Sequence, residues 1–269
     1  MRFCSLRLPV DYRVWSRLDM FRHGANDSPS YGFEVFSNHY GIARPTAGFV
    51  ALELGPGDAL AGAVVAPAFG AGRTYLVDVG CFASPDVRIY KAQAQYCIEK
   101  GLSPPDLEGA ASLDEVLLRC NATYMTEGLA SLREMESESV DFIYSQSCLE
   151  HIRRAEFPET LRQMRRVLRP GGVASHSIDF KDHLQKALNN LRFSEKIWEG
   201  DMFADRGFYT NRIRPAQMLA MFEAAGFSVE IIGRYDWEAI PTPRSALHPD
   251  FRDLPDQELL THRLVVRCT

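Results

Sequence analysis

FVALELGPGDALAGAVV, residues 49–65, runs from an unbroken apolar stretch through a glycine turn into a second apolar stretch. Phe49–Leu54 is short and apolar on both faces, the pattern of a strand covered on each side in a parallel sheet. Gly55 and Gly57 permit a tight turn in which bare backbone can approach a ligand closely. Asp58 is placed to cap a helix carrying Leu60, Ala61, Val64 and Val65, which Gly70 and Gly72 stop. Thr74–Val79 repeats the strand pattern, so the segment predicts one strand–helix–strand unit with its glycine turn at the carboxyl end of the first strand.

Outward from that unit the alternation continues. Strands are expected at Ala122–Thr126, Val140–Ser145 and Gly172–Asp179, with helices near 87–100, 112–120 and 157–169. In the last of these, Phe157, Leu161, Met164 and Leu168 recur at helical spacing while Arg162, Arg165, Arg166 and Arg169 point elsewhere, which reads as a solvated face. Pro215 opens a further helix with Met218, Leu219, Phe222 and Ala225 inward, and Gly226 closes it. Phe227–Ile232 and Arg263–Arg267 read as a final antiparallel pair joined by a long 234–261 connection. The expected fold is α/β: a Rossmann-like, doubly wound, mostly parallel seven-stranded sheet spanning 48–269. Residues 1–47, rich in turn signals and without clear periodicity, are expected to form an N-terminal cap. The polar stretch 180–214 is too long for an ordinary crossover and is expected to form a helical lid.

Composition narrows the partners. Of 269 residues, 46% are hydrophobic and 24% charged, which excludes disorder. Thirty basic against 35 acidic residues give a net charge of −5, so nucleic acid is not an expected partner and a small molecule is. No apolar run approaches the roughly 18 residues of a membrane span. Charges and Pro9 break MRFCSLRLPVDYRVW before a signal-peptide core can form, so a cytoplasmic location is expected. Six cysteines stand singly at 4, 81, 97, 120, 148 and 268, without a CxxC pair, in keeping with free thiols in a reducing compartment.

A dinucleotide fingerprint would place its last glycine at position 60, where Leu60 stands, so hydride transfer is disfavoured. Glu53 at the strand end suits a ligand that carries an ammonium group and no pyrophosphate. The segment ELGPGDA resembles the first motif of the class I S-adenosylmethionine-dependent methyltransferases, an acidic residue followed by GxGxG, with Ala59 replacing the last glycine. Asp78 at the end of the second strand, Thr126-Glu127-Gly128-Leu129 after the third, VDFIYSQSCLEHI (140–152) and RVLRPGG (166–172) continue the resemblance in order. The type 11-like members of that family are the nearest in pattern. The resemblance implies S-adenosylmethionine as cofactor, bound by Glu53, Gly55, Pro56, Gly57, Asp78, Val79, Glu127, Gly128, Leu129, Ser145 and Gln146. Residues 175–199 followed by GFYTNRIRP (207–215) are similar to bacterial methyltransferases of polysaccharide and surface-glycan biosynthesis, which implies a sugar or glycan-linked acceptor.

Methyl transfer from a sulfonium is an in-line displacement, so the protein must align acceptor, methyl and sulfur and supply a base if the acceptor is a hydroxyl. Ligands of open α/β sheets lie at strand carboxyl ends, which selects the loops Ser145–His151 and His176–His183. His176, then His183, then His151 are the candidate bases. His176 would equally serve as a satisfied core histidine, His183 as a surface residue and His151 as a wall of the cofactor pocket. His176, Asp179, Asp182 and His183 offer ligand atoms but no chelating spacing, so no metal site is expected. Asn189, Asn190, Arg192, Asn211, Arg212 and Arg214 offer donors for sugar hydroxyls or phosphates, and Trp198 or Tyr209 a stacking ring, although solvated lid residues would read alike. His23, Asn38, His39 and Tyr40 are candidates to close over the acceptor. Alternatives are O- or N-methylation of a quinone or other small metabolite, or cofactor binding without turnover; a monomer or homodimer is expected.

Overall fold

Strand β1 (Val50–Leu54) is an interior strand, third from one edge, of a seven-stranded sheet in the computed structural model, which describes residues 28–269 other than Leu184, Asp205 and Arg206. Its companions are β2 (Arg73–Val77), β3 (Ala122–Met125), β4 (Val140–Gln146), β5 (Leu168–Asp179), β6 (Val229–Asp236) and β7 (Thr261–Cys268). They lie in the order β3-β2-β1-β4-β5-β7-β6. The first five are parallel, and β7 runs antiparallel between β5 and β6. The register brings Leu54 beside Val77 and Ser145, and Ser145 beside His176, so the carboxyl ends of four strands share one edge. Chain order reverses between β1 and β4, the switch point at which open α/β sheets bind their ligands.

Alternating side chains of these strands bury two faces. On one, Leu52, Leu54, Ile143 and Ala174 pack with Phe157, Leu161 and Met164, which lie on the helix Phe157–Val167, and with Met218 and Phe222 on the helix Pro215–Ala224. On the other, Ala51, Phe142 and Tyr144 meet Val65 and Ala66 of the helix Ala61–Ala68, together with Phe36. Phe36 belongs to the fifteen-residue helix Pro29–Ala43, within a stretch that shows no clear sequence periodicity. The remainder of the expected cap, including His23, lies outside the described residues.

Three local expectations are corrected. The helix after the glycine turn starts at Ala61 from Leu60 without a side-chain cap, so Asp58 does not cap it; the Asp58 carbonyl instead accepts the Ser84 N–H at 2.7 Å. The helix 157–167 ends earlier than its apolar spacing suggested, because Leu168 already pairs with Val140 as the first residue of β5. Pro170-Gly171-Gly172 then form an irregularity inside that strand, with Gly171 at φ 80°, and the pairing shifts register across it. Among its described residues, the segment 180–214 holds short pieces: a 3-10 turn Asn189–Arg192 and the helices Glu195–Trp198 and Asp201–Ala204. Its own small core gathers Trp198, Ala204 and Tyr209 with Phe193, Phe203 and Phe208. Leu188 and Leu191 join Leu247 and Leu259, which fastens the segment to the connection between β6 and β7. Among the described residues, no helix is long and apolar enough to cross a membrane.

Candidate functional site

The glycine turn after β1 is built by close approach. Gly55 and Gly57 take φ 70° and 68°, where side chains are strained. A Cβ on Gly55 would lie 2.5 Å from Cys148 Sγ, on the loop after β4. Asp78, just past β2, accepts the Gly57 N–H at 3.1 Å through Oδ2 and the Val79 N–H at 2.7 Å through Oδ1. Its carbonyl accepts the Gly128 N–H at 2.8 Å, so one residue joins the loops after β1, β2 and β3. Gly128 sits at φ 54°, and a Cβ there would meet Val79 Cγ1 at 2.9 Å. Glu127 is exposed and Leu129 opens the helix Leu129–Glu134 beyond it. Val79 leaves 75% of its surface in solvent beside Asp78, an apolar face suited to a flat ring.

Glu53 ends the same edge. Its Oε2 is buried without a hydrogen-bond partner, and it faces Tyr144 closely enough that a Cβ on Gly62 would lie 2.3 Å from both Glu53 Oε2 and the Tyr144 hydroxyl. Burial lifts the Glu53 carboxyl to about 7, with Asp78 adding to the rise and the Tyr144 hydroxyl opposing it. A buried acid short of a partner, at the end of a cradle that a Cβ would fill, fits a cofactor that brings an ammonium group. Gly62, Tyr144 and Tyr31, whose phenol is also affected by Glu53, were not legible as site residues. The small residue after the turn was their only sequence signal.

Beside the glycine turn, β4 leaves the sheet through Ser147, a non-glycine residue at φ 49°, and enters a 3-10 turn Leu149–His151. Asn211 holds that turn: its side-chain amide donates to the carbonyls of Leu149 at 2.9 Å and Ile152 at 3.1 Å, and its backbone N–H to Glu150 at 2.7 Å. The next residue, Arg212, also sits at positive φ, 57°. His151 Nδ1 lies 2.8 Å from the Tyr209 carbonyl, which can only accept, so Nδ1 carries the proton. The His151 and His183 rings are 4.7 Å apart. Glu150 is 2% exposed, and neither of its carboxylate oxygens has a hydrogen-bond partner. Burial, and then the nearby Asp179, push its carboxyl well above the usual carboxylate range. Asp179 in turn pairs with Lys181 at 2.7 Å. Burial also raises the Cys148 thiol well above its ordinary value, so it stays a neutral wall between the two halves of the site.

Several expected site residues are placed elsewhere. His176 is fully buried, shares a 2.8 Å hydrogen bond with Ser145 Oγ and packs against the Phe222 ring at 5.5 Å. Burial lowers it to about 3, with His39 contributing, so it is a neutral core histidine and is not positioned to meet an acceptor. Ser145 is likewise fully buried and turned to His176, away from the cofactor edge. Gln146 is engaged through its Oε1 with His39 Nε2 at 3.3 Å, and His39, 2% exposed, also bonds Ser175 Oγ at 2.8 Å. That residue therefore fastens the helix Pro29–Ala43 to the sheet. The proposed sugar donors are also largely structural. Asn211 clamps the turn, Asn190 bonds Thr210, Arg214 holds the carbonyls of Phe180, Glu258 and Thr261, and Trp198 is buried with its Nε1 on the Thr210 carbonyl. Only Asn189 and Arg192 of that group keep accessible side chains.

Residues 77–175, from the end of β2 into β5, match the family described as "Methyltransferase domain". No curated protein matches the chain closely enough to count as a relative. Among solved structures, a SAM-dependent methyltransferase from Methanosarcina mazei aligns over 87% of this chain and 96% of its own, with 12% identity and a TM-score of 0.50. Another from Aquifex aeolicus aligns over 96% and 97%, with 14% identity and a TM-score of 0.45. A match to a methyltransferase domain over residues 77–175 lies on the doubly wound seven-stranded fold, and the protein is an enzyme that uses S-adenosylmethionine.

Proposed function

We propose that this enzyme methylates a hydroxyl of a sugar or glycan-linked intermediate in the cytoplasm, acting as a monomer or homodimer. The observation that carries the reading is the cluster Glu150, His151, Asp179, Lys181 and His183 at the carboxyl ends of β4 and β5, with Cys148 close to both Glu150 and the Gly55 turn. The cofactor supplies an electrophilic methyl on a sulfonium. Gly55, Gly57, Val79 and Gly128 form its cradle, Asp78 meets its ribose hydroxyls and Glu53 its ammonium. Across Cys148, polar groups receive the acceptor hydroxyl and its proton, as displacement at carbon by oxygen requires. The helix Pro29–Ala43 and the 180–214 segment wall the site and limit water. Single cysteines support the reducing compartment: Cys81, Cys97, Cys120, Cys148 and Cys268 are all free thiols.

The test is calorimetric titration with S-adenosylmethionine and S-adenosylhomocysteine, followed by methyl-transfer assays on nucleotide sugars and glycans. Micromolar binding lost in Asp78→Ala and Gly55→Val, with transfer to a sugar hydroxyl, is the expected result. Full retention of binding in both variants sinks the donor site. Transfer only to quinones or amines replaces the acceptor class.

A further inference from the structure

Glu150, His151 and His183 come from two loops, and each presents one ligand atom within 4.8 Å of the others. We propose that they bind a single divalent cation of the zinc or manganese type, which in turn takes up the acceptor's hydroxyl beside the methyl donor. The cation site rests on geometry, and its role beside the methyl donor rests on the methyltransferase reading.

Three observations converge. Glu150 is sealed from solvent, 2% exposed, yet both of its oxygens lack a hydrogen-bond partner. An acid sealed there takes its charged form only beside a cation, and Lys181, the nearby ammonium, is already paired with Asp179 at 2.7 Å. His151 donates its Nδ1 proton to the Tyr209 carbonyl at 2.8 Å. That fixes the tautomer whose Nε2 carries a lone pair, the arrangement by which a backbone carbonyl orients a metal-binding imidazole. His183, 4.7 Å away ring to ring, lies on an accessible turn beyond β5 and can swing its nitrogen inward. Bonds of about 2.1 Å set ligand atoms roughly 3.4 Å apart, so the three need to draw in by about 1.4 Å. Asp179, whose Oδ1 is buried without a partner, stands behind Glu150 as further negative charge.

The donor set selects the ion. Two imidazoles and one carboxylate favour zinc, manganese or a similar borderline cation over magnesium or calcium, which prefer all-oxygen shells. Three protein ligands leave a coordination position open for a substrate oxygen. A hydroxyl held there would give its proton to solvent water at neutral pH more readily than a free one; its oxygen would then form the new O–CH3 bond as the S–CH3 bond of the sulfonium breaks and the neutral thioether leaves.

The decisive experiment titrates the untagged full chain, stripped with a chelator, with zinc chloride in a calorimeter and with magnesium chloride for comparison. One zinc per chain should bind at least tenfold more tightly than magnesium. Glu150→Gln and His183→Gln should each weaken zinc at least tenfold while leaving S-adenosylhomocysteine binding within about threefold; His183 is on a surface turn, so its variant keeps the fold. Asp78→Ala should do the reverse, losing S-adenosylhomocysteine and keeping zinc. Absence of stoichiometric zinc in a chain that binds S-adenosylhomocysteine overturns the metal site and leaves the transferase standing. Zinc bound equally by both ligand variants also overturns it. Zinc bound as predicted, without any S-adenosylhomocysteine binding, removes the transferase reading instead.

Discussion

Glu53 carries a buried oxygen with no partner and a carboxyl lifted to about 7 from an unperturbed 4.5. Tyr31, Asp78, Tyr144 and Cys148 are the titratable groups that face it. The folded chain keeps this proton up to near pH 7, while the unfolded chain releases it near 4.5. Its contribution to stability is therefore present below pH 4.5 and is lost as pH rises through 7. Two outcomes are expected. Glu53→Gln should melt above the wild type at pH 8, with the gap closing by pH 5. Wild-type affinity for S-adenosylmethionine should climb about tenfold between pH 6 and pH 8, because the ammonium needs the ionised acid, and Glu53→Gln should bind weakly at both. A flat calorimetric profile in the wild type would contradict the pairing. Gly55 makes the steric counterpart. Gly55→Ala puts a methyl against Cys148 at positive φ and should weaken S-adenosylhomocysteine at least tenfold, with part of the loss restored by Cys148→Gly in the same chain.

At the level of elements, the Leu149–His151 turn exists because the distant segment 209–211 holds it. Asn211 satisfies three groups of that turn and also accepts the Ile213 N–H at 3.1 Å through its own Oδ1. Asn211→Ala leaves buried carbonyls unsatisfied, and its cost should be about 2–4 kcal/mol in urea unfolding. Methyl transfer should fall further than cofactor binding, since the turn carries Glu150 and His151 while the cofactor loops hang on Asp78. Equal loss of both would show that the turn serves the whole edge. Ser147 and Arg212, both at positive φ, lie on the two strips of chain that meet here, so the local strain gathers where the polar cluster is displayed.

Across the whole molecule, buried titratable groups set how the fold answers acid. His39 and His176 are held neutral by burial, at about 4 and about 3 against an ordinary 6.5. The unfolded chain takes up both protons below pH 6.5 and the folded chain does not, so the stability they contribute is present above that value and is lost as pH falls. Each imidazole acts with a slope of about 1.4 kcal/mol per pH unit, and Glu53 offsets one of them between pH 4.5 and 6.5. His39→Gln, which keeps an amide for Ser175 and Gln146, should reduce the pH dependence of unfolding free energy by about 1.4 kcal/mol per unit between pH 6 and 4.5. An unchanged slope in chemical denaturation would mean that His39 is protonated in the fold.

The sequence by itself determined the sheet and its cofactor edge. Buried parallel strands are written as contiguous apolar runs, and the turns Gly55–Gly57, Asp78 and Gly128 are local chemistry that needs only neighbouring residues to be read. Helix ends were less legible: Leu168 completes the apolar spacing of a helix, yet the pairing with Val140 made it a strand residue. The acceptor side was decided by tertiary structure alone. His176 looks identical in sequence whether it faces solvent or Phe222, and the antiparallel insertion of β7 beside β5 buried it. Asn211 and Arg214 read as ligands for sugar because their donors have no local partner, and only the folded chain brings them the carbonyls of Leu149, Ile152, Phe180 and Thr261. His183 is thirty-two residues from His151, a spacing with no chelating signature, and the parallel pairing of β4 with β5 set them side by side because both loops leave the same sheet edge.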